Sequence, residues 1–212
     1  MTQAKICGLS TPETVRAALE GGAAYLGFMF FDASPRNIAP EHAGRLAAAA
    51  RGRAKVVAVT VDADDAVLDR IVAALKPDFI QLHGRETPAR AREVGQRTGA
   101  GVIRALPVSE SRDLDAARDF ESVVDHLMFD AKPAKDATRP GGGGAPFDWE
   151  LLAGRRFERP WFLAGGLDPW NVAEALSRTR APLVDVSSGV ERGAGLKDPA
   201  LISAFLDAVR RA

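Results

Sequence analysis

Eight short runs rich in Val, Ile, Leu and Phe recur along the 212-residue chain, with segments of helical spacing between them. The runs are AKIC (4–7), YLGFMF (25–30), KVVAVTV (55–61), DFIQLH (78–83), GVIRAL (101–106), VDHLMFD (124–130), PWFLAG (160–165) and PLVDVSS (182–188). In STPETVRAALEGG, Ser10 or Thr11 can cap a helix, Pro12 suits an early helical position and Gly21 ends the run. DADDAVLDRIVAAL, TPARAREVGQRT, DPWNVAEALSRT and DPALISAFLDAVRR repeat that grammar, with acidic or hydroxyl residues first and Arg or Lys late. Such alternation argues for parallel strands joined by right-handed helical crossovers. Eight units predict an α/β chain folded as a single-domain (β/α)₈ TIM barrel over residues 1–212. Few insertions are expected, because about 250 residues are typical of that fold. An open doubly wound sheet is the rival; it usually carries a glycine fingerprint after its first strand, and CGLSTPE does not match G-x-G-x-x-G.

One stretch tests the single-domain reading. RPGGGGAP (139–146) has the composition of a linker, yet residues 147–212 alone hold only two strand candidates, too few to close a core. The same residues complete the eightfold count, so 139–146 is expected as a loop after strand six, either a lid or a frayed tip.

Composition narrows the function classes. Hydrophobic residues make up 46% of the chain, too many for a disordered protein. Lys plus Arg and Asp plus Glu number 28 each, so no net field draws in nucleic acid or an anionic membrane, and a small-molecule substrate is the expected partner. A monomer or a homodimer is expected. Cys7 is the single cysteine, no apolar run approaches the roughly 18 residues of a membrane span, and no signal-peptide pattern opens the chain, which together point to the cytoplasm.

The strand ends carry the chemistry. Cys7 ends strand one, Ser34-Pro35-Arg36 follows strand two, His83 ends strand four and Asp130 ends strand six; Gly165-Gly166 follow strand seven, and Ser187-Ser188-Gly189 close strand eight. In a barrel these carboxyl ends meet at one mouth. Gly165 and Gly166 leave N–H groups open to close approach, and Ser187, Ser188 and Gly189 add hydroxyls and another N–H, which reads as a phosphate cradle or as two ordinary turns. Arg36 can grip a carboxylate, or be a loop arginine at the surface. Asp130 can be an acid, a salt-bridge partner or a cap, and Cys7 a base or a small buried hydrophobe. A thiol and a carboxyl between two anion anchors suggest proton transfer. No metal is expected, because His42, His83 and His126 are dispersed and Cys7 has no second thiol nearby.

KICGL, the Ser34-Pro35-Arg36 triplet, QLHG (81–84), FDAKP (129–133), the glycine-rich run into FDW (147–149), LAGGL (163–167) and DVSSGVE (185–191) resemble, in order and in strand context, the phosphoribosylanthranilate isomerase family of tryptophan biosynthesis. Two departures are small: VAVTVDAD stands where a Phe is expected near Thr60, and Ala131 follows the Asp where Thr is common. The resemblance implies a cofactor-free Amadori rearrangement of N-(5-phosphoribosyl)anthranilate to 1-(2-carboxyphenylamino)-1-deoxyribulose 5-phosphate. It implies Asp130 as general acid, Cys7 as general base, Arg36 on the anthranilate carboxylate, and Gly166, Ser187, Ser188 and neighbouring amides on the phosphate. His83, Gly165, Asp185 and Gly189 are further candidate substrate-binding residues. Three alternatives remain beside it. Indole-glycerol-phosphate synthase would want a lysine and a glutamate at strand ends, a related histidine-biosynthesis isomerase has an aspartate where Cys7 stands, and a sugar-phosphate-binding barrel gives no reason for a thiol facing Asp130.

Strand alternation adds one expectation. Lys5 shares a face with Cys7, and Asp185 with Ser187, so Lys5 and Asp185 can pair inside the barrel one layer below the thiol, where a cation favours the thiolate. In the alternative, Lys5 points outward and snorkels to water.

Overall fold

The computed structural model describes residues 2–132 and 146–212. Eight parallel strands close into a barrel in sequence order: β1 (Gln3–Cys7), β2 (Tyr25–Phe30), β3 (Lys55–Thr60), β4 (Phe79–Leu82), β5 (Gly101–Val108), β6 (His126–Ala131), β7 (Trp161–Leu163) and β8 (Leu183–Val186). The expected (β/α)₈ barrel is therefore the observed one, and the open sheet is excluded because β8 pairs back onto β1. A two-stranded hairpin, β9 (Glu191–Gly193) with β10 (Leu196–Lys197), follows β8 and was not anticipated.

The helices are α1 (Pro12–Glu20), α2 (Pro40–Ala47), α3 (Asp65–Leu75), α4 (Pro88–Thr98), α5 (Ala117–Phe120), α6 (Val172–Thr179) and α7 (Pro199–Arg211). Their start signals work as read: Thr11 accepts from the Thr14 amide and Asp64 from Val67, while Thr87 and Asp198 cap α4 and α7. Between β6 and β7 the described residues hold only a 3₁₀ turn, Trp149–Leu152, whose Trp149 and Leu152 cover the barrel wall that a helix covers elsewhere. The 139–146 segment lies outside the described residues except for Pro146.

Parallel strands buried on both faces read as continuous apolar runs, and Val56, Val57, Ala58 and Val59 of β3 are all fully buried. The outward set packs under the helices, and the inward set forms a separate core inside the barrel. Tyr25, Phe79, His126 and Phe162 plug its amino end, with Tyr25 to Phe162 at 5.2 Å and Phe79 to His126 at 5.1 Å between ring centroids. Burial holds His126 below the ordinary imidazole range, so the plug stays uncharged at neutral pH. Access to the interior is left to the carboxyl end.

Above the plug the interior is charged. The β1–β8 register sets Lys5 opposite Asp185, and Lys5 Nζ donates to Asp185 Oδ1 at 2.8 Å with its own side chain fully buried. The inward pairing is the one that strand alternation allows, and the snorkelling alternative is excluded. Burial alone would lower Lys5, but Asp185 and the nearby Cys7 thiol outweigh it and its ammonium is held above the ordinary lysine range. Removing one partner of such a pair strands the other. Lys5→Met is expected to cost about 3–5 kcal/mol in urea unfolding, and Lys5→Met/Asp185→Leu to recover most of it. A single substitution without cost would show the pair to be dispensable.

Candidate active site

The carboxyl ends of the strands surround a pocket whose lining includes Cys7, Arg36, His83, Asp130, Gly165, Gly166, Asp185, Ser187 and Ser188. Residues scattered over most of the chain thus meet as the strand ends predict. Met29, Phe31, Val59, Val61 and Leu167 supply an apolar wall. Gly189, expected with them, does not line the pocket. It lies in the Ser188–Val190 turn so close to the Leu167 and Asp168 backbone that a Cβ would collide there.

Cys7 is buried at the end of β1, and Gly8 follows with φ +78°, a left-handed turn that carries the chain away from the thiol. Across β2, Gly27 makes the space: a Cβ there would stand 3.1 Å from both Cys7 Sγ and Lys5 Nζ. Burial pushes the thiol above its ordinary range; the Lys5 and Lys197 ammonium groups pull against that rise, and the Asp185 carboxylate adds to it. The expectation that Lys5 would favour the thiolate is therefore half right. The cation stands where expected, but desolvation of a fully enclosed thiol outweighs its attraction.

Arg36 is buried, and its Nε and Nη2 donate to Glu191 Oε1 and Oε2 at 2.7 and 2.8 Å. One edge of the guanidinium fork is thus taken by the protein, and among the described residues Nη1 makes no hydrogen bond and remains for a ligand. The hairpin that carries Glu191 also carries Lys197, whose buried Nζ donates to Glu191 and to the Ser187 carbonyl and hydroxyl at 3.1 and 3.2 Å. Burial alone would raise Glu191, but Arg36 and Lys197 prevail and hold its carboxyl below the ordinary range. Lys197 is lowered by burial, against the pull of Glu191. Glu191 closes the quoted DVSSGVE stretch but was not read as a site residue, and Lys197 had no local signal at all. Only the hairpin brings both to the mouth.

On the opposite side, His83 Nε2 lies 3.0 Å from Asp130 Oδ2, and Gln81 Nε2 lies 2.9 Å from His83 Nδ1. Asp130 is thus a partner of His83, and Asp185 a partner of Lys5.

A closed eight-stranded barrel whose carboxyl-end mouth holds a thiol, a carboxyl and a partly free guanidinium has the anatomy of a barrel enzyme for a small anionic substrate. The family model described as N-(5'-phosphoribosyl)anthranilate (PRA) isomerase matches residues 4–208. The N-(5'-phosphoribosyl)anthranilate isomerase of Caulobacter vibrioides is 67% identical over 210 residues, which cover 99% of this chain and 96% of that protein. That of Mesorhizobium japonicum is 52% identical over 98% of this chain and 95% of its own. The crystal structure of phosphoribosyl anthranilate isomerase from Thermotoga maritima superimposes with a TM-score of 0.89 at 33% identity, covering both chains in full. A structure of the enzyme in complex with reduced 1-(o-carboxyphenylamino)-1-deoxyribulose 5-phosphate gives 0.86 at 31% identity, again over 100% of both chains. The chain belongs to the phosphoribosylanthranilate isomerase family.

The Arg36–Glu191–Lys197 cluster makes stability pH-dependent. A carboxyl lower in the folded than in the unfolded state stabilises fully above its unfolded value, and that contribution is lost as pH falls through the folded one. Glu191→Gln is thus expected to lower the urea midpoint near neutral pH, with the gap to wild type closing as pH drops below the ordinary glutamate range. A gap independent of pH would place the effect in packing rather than charge.

Proposed function

We propose that residues 1–212 act as one barrel domain that converts N-(5'-phosphoribosyl)anthranilate to 1-(2-carboxyphenylamino)-1-deoxyribulose 5-phosphate, by general acid–base chemistry with no cofactor. The observation that carries this reading is one pocket lined by Cys7, Asp130 and Arg36 together with the Gly165–Gly166 and Ser187–Ser188 loops. Family membership and the relatives' names supply the substrate.

In this reading the substrate phosphate lies against the Gly166, Ser187 and Ser188 loops, and the anthranilate carboxylate meets the free Nη1 of Arg36. The aromatic ring rests on the apolar wall of Met29, Phe31, Val59 and Val61. Asp130 gives a proton to the ribose ring oxygen, the C1–O bond breaks, and the nitrogen lone pair forms the C1=N Schiff base. The Cys7 thiolate then takes the proton from C2; the C–H electron pair becomes the C1=C2 bond of an enolamine, and the C=N pair returns to nitrogen. The enol oxygen gives its proton to the Asp130 carboxylate and C1 takes one from the Cys7 thiol, which leaves the ketone and restores both groups. Protons pass between the substrate and Asp130 or Cys7 while electron pairs shift only within the substrate, so no redox partner is needed.

The buried thiol decides the pH dependence. A base held above the ordinary thiol range is deprotonated in only a small fraction of molecules at neutral pH, so kcat/KM is expected to climb with pH beyond that range. Cys7→Ala and Asp130→Asn are each expected to lower kcat by about 10²–10⁴-fold, the usual worth of one positioned proton-transfer group. Cys7→Ala with near wild-type turnover would return the thiol to the core, and an ascending limb at lower pH would assign the base elsewhere.

A further inference from the structure

We propose that Gln81 is a positioning residue: it fixes the tautomer of His83 and so leaves Asp130 Oδ1 as the oxygen that carries the reacting proton. The inference rests on the acid role of Asp130 given above. Gln81 points into the barrel from β4 and is almost fully buried. Its Nε2 lies 2.9 Å from His83 Nδ1 and 3.4 Å from Met128 Sδ, while its Oε1 is buried with no partner among the described residues.

The partners decide which way the amide faces. With the nitrogen toward His83 and Met128, the two N–H groups meet a ring nitrogen and a sulfur, and one acceptor is left alone. Turned over, the oxygen would abut the sulfur, an acceptor itself, and two donors would be stranded where one acceptor was. The first arrangement loses less. Gln81 therefore donates to Nδ1, Nδ1 carries no proton in the neutral ring, and the proton sits on Nε2, aimed at Asp130 Oδ2 3.0 Å away.

That N–H selects between the carboxyl oxygens. Oδ2 accepts from His83, and a proton placed on Oδ2 would set O–H against N–H, so the acid form carries its proton on Oδ1. The same His83 bond then serves both protonation states with no rearrangement. Gly165 lines the pocket at φ +84°; a Cβ there would collide with the Ala131 backbone and would also stand 2.8 Å from Asp130 Oδ1, so glycine keeps that oxygen's surroundings open. The unpartnered Oε1 of Gln81 is a local cost of the kind that a functional constraint explains.

Nitrogen-15 spectra of the imidazole rings test this together with steady-state kinetics of wild type, Gln81→Glu, Gln81→Met and Asp130→Asn. His83 in wild type is expected as the Nε2–H tautomer. Gln81→Glu supplies an acceptor in place of the donor and is expected to draw the proton to Nδ1. Its kcat should fall by about 10–100-fold, the cost of a misaligned reacting group, with KM little changed. Gln81→Met, which buries no charge and so guards against a folding defect, is expected to give a mixture of tautomers and a smaller loss. A wild-type Nδ1–H tautomer, or variants whose kcat is unchanged while the tautomer shifts, would overturn the proposal. Asp130→Asn separates the two failures. If it stays active the acid role falls, whereas an inactive Asp130→Asn beside fully active Gln81 variants removes the role of Gln81 alone.

Discussion

The closure of β8 onto β1 is the constraint on which the site depends. Its register sets Lys5 against Asp185, and an inward lysine with no route to water needs that carboxylate. Once the seam is set at this layer, alternation brings Cys7 and Ser187 into the layer above, where the Ser187 hydroxyl donates to the Cys7 carbonyl at 3.3 Å. The aromatic plug below and the charged layer in the middle leave the mouth as the place where a ligand can meet these groups. Slipping the seam by one residue would turn Cys7 and Lys5 out toward the helices.

Around the mouth, charge is arranged in two halves. On one side Lys5, Arg36 and Lys197 are balanced by Asp185 and Glu191, so a buried thiol sits among cations whose own needs are already met. That balance explains why desolvation prevails over attraction at Cys7: each cation that could steady a thiolate is also held by a carboxylate. On the other side Gln81, His83 and Asp130 form a chain of hydrogen bonds that ends at the pocket. On the proposed reading, a substrate with two anionic ends would enter between the Cys7 thiol and the Asp130 carboxyl, each held in place before it arrives.

Much of this was legible in the sequence because it follows from local pattern. Apolar runs of the right length and spacing marked all eight strands, and polar residues at five strand ends with a glycine pair at a sixth marked the mouth, including Cys7, Arg36, His83 and Asp130. Lys5 and Asp185 could be paired because a parity argument needs only two strand assignments and one adjacency. What escaped reading has no local signature. Glu191 and Lys197 matter because a hairpin folds them back over Arg36, and Gly27 matters because of a thiol on the neighbouring strand. Gln81 stands inside the QLHG motif, but its amide matters because of the His83 ring nitrogen it faces, which strand pattern alone does not reveal.

The most direct test of the account is to mix the purified protein, in excess, with freshly prepared phosphoribosylanthranilate and follow anthranilate-type fluorescence through a single turnover. The account predicts that the fluorescence decays at a rate that rises with protein concentration and then saturates. Unchanged fluorescence at every protein concentration would contradict it.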